Sequence, residues 1–75
     1  MIEAEITEAR RCAEARMGLE APDPLVEEAV KLTEQKIRVK GLPESYAPLL
    51  LEDEIVEACF RAAINGRCRE CARSA

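Results

Sequence analysis

The chain has no histidine and no tryptophan, one phenylalanine, one tyrosine and only three glycines in 75 residues. Each shortage closes off a class of function. Without histidine, the commonest general base and metal ligand is missing. Gly18, Gly41 and Gly66 are isolated from one another, so no glycine-rich loop can cradle a phosphate. Thr7, Thr33, Ser45 and Ser74 have no evident activating partner in sequence. The expectation is a protein that is not an enzyme.

Long apolar runs are also missing. Nothing approaches the roughly 18–20 residues that a bilayer-spanning helix needs, and "MIEAEITEARRC" is acidic from its third residue, unlike a secretory signal. The reading is a soluble, cytoplasmic protein with no membrane partner. A net charge of -4 and a pI near 4.9 argue against direct nucleic-acid binding.

The shortage of aromatics bears on stability. Hydrophobic residues make up 48% of the chain, but one third of them are alanine. Aromatic side chains bury the most area per residue, and a chain of this size buries only about 60% of its unfolded surface. Such a light core favours a homodimer, a bound protein partner or a metal.

What is present is helical punctuation. "MGLEAPDP" (17–24) and "KGLPESYAP" (40–48) divide the chain into three segments. Each Gly-Leu pair suits a helix C-terminus. Asp23 is expected to cap the second helix with Pro24 at its first position. Ser45 or Ala47 should begin the third, with Pro48 in its first turn, and Asn65-Gly66 should end it.

Apolar spacing agrees with that division. Ile2, Ile6, Ala9, Ala13 and Met17 share one face of the first segment, and Val26, Val30, Thr33 and Ile37 one face of the second. Leu25, Leu32 and Val39 recur beside the latter stripe. In the third segment Leu51, Ile55, Cys59 and Ala62 form one face, and Val56, Phe60 and Ile64 the adjoining one. These are helical intervals. "KIRVKG" (36–41) alternates like a strand but has no partner strand, so helix prevails. Acids precede bases in every segment, as the helix dipole favours. The fold class is therefore all-α: a small three-helix bundle over residues 1–66, completed by homodimerisation, with a basic, CxxC-containing tail over 67–75. Phe60, the only phenylalanine, is expected in the core.

Two clusters carry possible function. Glu52, Asp53, Glu54 and Glu57 form the densest run of charge, either a solvated helix start or an acidic face for a protein partner. That partner could be a nucleic-acid enzyme whose basic site the chain occupies, as inhibitors from phages and mobile elements do. Cys68 and Cys71, in "NGRCRECARSA", sit among arginines that stabilise thiolates. Their spacing suits half of a tetrahedral zinc site, and two tails in a dimer would supply four ligands. Zinc or iron binding, redox chemistry and two plain exposed thiols all fit this pair. Cys12 and Cys59 fall on or beside apolar faces, where cysteine acts as a small hydrophobe. The leading reading is a small interaction or regulatory protein presenting a helical, acidic surface.

Overall fold

A computed structural model describes the backbone of residues 2–74 and the side chains of residues 2–65. Helix makes up 86% of it, and the described residues contain no strand. The order is α1 (Glu3–Met17), α2 (Asp23–Lys40), a 3-10 turn (Glu44–Tyr46) and α3 (Ala47–Ser74). "KIRVKG" is the last turn of α2 and its stop, as expected from the want of a partner strand.

Both glycine stops are present, and they differ. Gly18 (φ 69°) and Gly41 (φ 65°) take the left-handed conformation that only glycine adopts cheaply. After α1 the Gly18 N–H donates to the Glu14 carbonyl at 2.8 Å, a simple left-handed cap. After α2 the Gly41 N–H makes the equivalent bond to the Ile37 carbonyl, and the Leu42 N–H adds a second to the same oxygen at 3.1 Å, the longer-range bond of a Schellman cap. Leu42 is drawn into partial burial by that bond, whereas Leu19 is left 62% exposed.

Two expected boundaries shift. Asp23 is the first residue of α2 rather than its cap: the Pro22 carbonyl accepts from the Leu25 and Val26 N–H groups, and the Asp23 carboxylate is taken by Arg10 at 2.7 Å. The third helix does not stop at Asn65-Gly66 but continues to Ser74. One glycine costs a helix only about 1 kcal/mol relative to alanine, and no proline follows to force a stop. Pro48 is tolerated at the second position of α3, within its first turn.

α3 packs against both other helices and carries most of the interhelical contact. Lys36 meets Glu54, and Leu25 lies level with Ala62, so α2 runs antiparallel to it. α1 runs parallel, with Ile2 beside Ala47 and Arg16 beside Asp53. The core between them is built of small residues: Ala9, Ala13, Ala21 and Ala29 pack with Val26, Leu51, Ile55 and Cys59. Alanines let helix backbones approach closely but bury little area each. Among the described residues, only Leu51, Ile55 and Thr33 are sizeable side chains with no exposure. The Thr33 hydroxyl donates to the Ala29 carbonyl one turn back at 2.8 Å, which satisfies it inside the core.

Phe60 is not in the core. It is 63% exposed, and Ile64, one turn on, is 59% exposed. Helical periodicity places Phe60 correctly beside Val56 and Ile64, but that stripe lies about a quarter-turn round from Leu51, Ile55 and Cys59. α1 and α2 occupy the latter face; of the former, Val56 is half-buried against the core, while Phe60 and Ile64 extend past the end of α1 and stay exposed.

Candidate interaction surface

The acidic run of α3 is the first site to consider, and the fold disperses it. Successive residues on a helix point about 100° apart, so the run divides between two elements, Glu52 and Asp53 toward α1 and Glu54 toward α2. Arg16 of α1 donates to Glu52 Oε2 and to Asp53 Oδ1, both at 2.8 Å. The hydrogen bonds it donates to Asp53 and, next in effect, to Glu52 raise the Arg16 pKa above its ordinary value. Glu54 turns the other way, is 5% exposed, and is bonded by the Lys36 ammonium of α2. That bond raises the Lys36 pKa, against the opposing effect of desolvation. Glu57 is exposed and paired along the helix with Arg61 at 2.9 Å. Three of these four carboxylates therefore tie α3 to its neighbours, and no common acidic patch is formed by the four. Asp53 and Glu57 keep most of their side-chain surface in water.

A second polar cluster holds the linker after α1. Glu14 Oε2 accepts from the Ala21 N–H at 2.7 Å, and Arg10 reaches both the Ala21 carbonyl and Asp23. This latch returns the chain over Ala21, which is fully buried. Its role is structural: every polar group in it is satisfied within the fold.

Of the cysteines, Cys59 lies buried between α1 and α3, where desolvation pushes its thiol pKa up. Cys12 is half-buried on α1, 3.8 Å from Glu8 Oε1. Among the described residues no group of three or more histidine, cysteine or carboxylate side chains is placed to hold a metal. Cys68 and Cys71 lie outside the described side chains.

The apolar surface is organised differently from the charged one. A groove of about 600 Å³ runs between the end of α1 and the middle of α3. Met17, Leu19, Val56 and Ala63 line it, and Phe60 and Ile64 stand along it. Cys59 lies at its base and Arg16 at its rim. Two local facts create it. The simple cap at Gly18 leaves Leu19 outside, and Val56, Phe60, Ala63 and Ile64 recur at intervals of three and four on α3. Leu19, Phe60 and Ile64 leave roughly 300–400 Å² of apolar side chain in water, the scale of patch that marks contact sites. The Val56–Phe60–Ile64 stripe is visible in sequence. Assigning it to the core hid its meaning, and an excess of apolar faces over neighbouring helices was the available signal.

No described helix is long and apolar enough to cross a membrane. Comparison with protein-family models, curated proteins and solved structures gave no match for this chain.

Proposed function

We propose that this chain is a small protein-interaction module that works by burying the α1–α3 apolar face against another protein chain. The observation that carries the reading is the exposure of Phe60, the sole phenylalanine, beside Leu19 and Ile64 on one groove. Aromatic residues in apolar pockets are the usual anchors of protein interfaces. The groove is open and lined mainly by apolar side chains, the character of surfaces on which amphipathic helices dock.

The acidic docking reading has less support. Glu52, Asp53 and Glu54 already satisfy Arg16 and Lys36, so meeting a basic partner would mean breaking contacts that hold the helices together.

In-cell photo-crosslinking tests the proposal in the native host. A photoreactive residue in place of Leu19 should give a discrete protein adduct, and one in place of Lys31, exposed on α2, should give none. Phe60→Asp should abolish the Leu19 adduct. If Leu19 yields no protein adduct, or the same adducts as Lys31, the face is not an interface and the reading fails.

A further inference from the structure

The groove can be assigned an occupant, and this rests on the interaction reading just given. We infer that the α1–α3 face is covered by a second copy of this chain, with the two α3 helices antiparallel and related by a two-fold axis near Phe60.

Area is the first argument. Two copies of the patch bring together roughly 600–800 Å² of apolar surface, twice the value for one chain. Interfaces are about 55–65% apolar, so the whole contact would reach on the order of 1,000–1,300 Å², above the threshold of about 1,000 Å² for a specific association.

Shape is the second. Projection and recess lie side by side on one helix. Phe60 projects, while Ala63, three residues on, is small and lines the groove with Val56. A two-fold axis packs the same patch of the two copies together, as a self-complementary interface requires. With the axis at Phe60, the helical register sets Val56 opposite the second copy's Ile64 and brings the two Phe60 rings together.

Charge order fixes the direction. The acids of α3, from Glu52 to Glu57, precede its arginines, Arg61, Arg67, Arg69 and Arg73. Antiparallel pairing sets the acidic half of one helix along the basic half of the other; parallel pairing would set like against like, which is unfavourable.

A core composed largely of alanine leaves the isolated bundle little stability to spare, and a second copy is the one partner present wherever the chain is made.

Sedimentation of the purified chain under reducing conditions, which excludes disulfide-linked pairs, is the test. The expected result is a species of twice the 8.3 kDa chain mass at micromolar concentration. Phe60→Asp should weaken association by about 100-fold or more, since it removes a central anchor from both copies. Because that variant could also fail to fold, the wild-type dimer is examined as well. Isotope-filtered NOEs between labelled and unlabelled copies should join Val56 to Ile64 and Phe60 to Phe60. A wild-type monomer overturns the inference, as does a dimer lacking those NOEs or one showing Val56–Val56 and Ile64–Ile64 contacts instead. If the purified chain is monomeric but the Leu19 crosslink in the host is real, the surface stands and its occupant is a different protein.

Discussion

The two apolar stripes of α3 are close in composition and opposite in fate. One carries Leu51, Ile55 and Cys59, none more than 9% exposed. The other carries Val56, Phe60 and Ile64, and its largest member is mostly in water. Judged by side-chain size alone, the second should be the core. It is outside because the faces of α1 and α2 that meet α3 are lined by alanines, and Ala9, Ala13 and Ala29 admit Leu51 and Ile55 at close range. Flanking ion pairs reinforce the choice. Arg16 on one side and Lys36 on the other grip α3 through Glu52, Asp53 and Glu54, which sets its rotation about its own axis. Turning Phe60 inward would break all three contacts.

If this account of the inner stripe is right, Leu51→Ala should be the most damaging of the changes considered. Leu51 has no exposure, and leucine-to-alanine changes in cores cost about 2–5 kcal/mol. For a domain this small the expected result is loss of a cooperative melt, or a large fall in the urea midpoint at unchanged slope. A change below about 1 kcal/mol would show that the inner stripe is not the core.

Lys36→Met sharpens the comparison electrostatically. It leaves the buried Glu54 carboxylate without its ammonium partner, and an unsatisfied buried polar group costs about 1–3 kcal/mol. Lys36 itself is 42% exposed, so solvent screening puts the expected loss near the lower end, about 1 kcal/mol. The pH dependence has a definite sign. The folded state holds the Lys36 pKa above its ordinary value of 10.5. The pair's contribution is therefore fully present below that value and is lost as pH rises through the raised folded value. Urea melts of wild type and Lys36→Met should differ at neutral pH and converge in strong alkali. A gap that stays constant across that range would mean the pair is not coupled to folding.

A smaller loss is expected at the linker latch. Asp23→Ala removes one bond to Arg10, whose other contacts to Glu14 and the Ala21 carbonyl remain. Asp23 is well exposed, so the cost should be about 0.5 kcal/mol. A loss above about 2 kcal/mol would show that Asp23 governs the start of α2, as its expected capping role implied.

Much of the fold was legible because its signals are local. The Gly-Leu stops, the proline positions and the i, i+4 stripes each depend on a few adjacent residues, and together they divide the chain correctly. Other features depend on distant residues and could not be read in the same way. Asp23 looks like a cap until Arg10, thirteen residues earlier, takes its carboxylate. Glu52, Asp53 and Glu54 look like one patch because they adjoin in sequence, but the helix gives the first two to Arg16 of α1 and turns Glu54 to Lys36 of α2. Gly66 looks like a stop, yet glycine only lowers helix stability, and the residues after it are compatible with continuation. For the candidate surface, the Val56–Phe60–Ile64 stripe was legible. Its exposure was not, because which of two stripes becomes the core depends on the faces that α1 and α2 offer.

Phe60→Ser is the most direct probe of the outer stripe, and its expected effect on the isolated fold is the smallest of all. A side chain already 63% exposed gives up little burial on truncation, and substitutions away from packed sites usually stay within about 0.5 kcal/mol. At the lowest measurable concentration, where chains are separate, variant and parent should melt together. Raising the concentration should then part them. Association stabilises by mass action, as RT ln(1 + [L]/Kd), and only the parent retains the anchor that makes Kd low. The gap in melting temperature should therefore widen steadily with protein concentration under reducing conditions. A large gap already present at high dilution would place Phe60 in the core of the single chain and reverse the assignment of the two stripes. Coincident melts at every concentration would keep the assignment and remove self-association through this face.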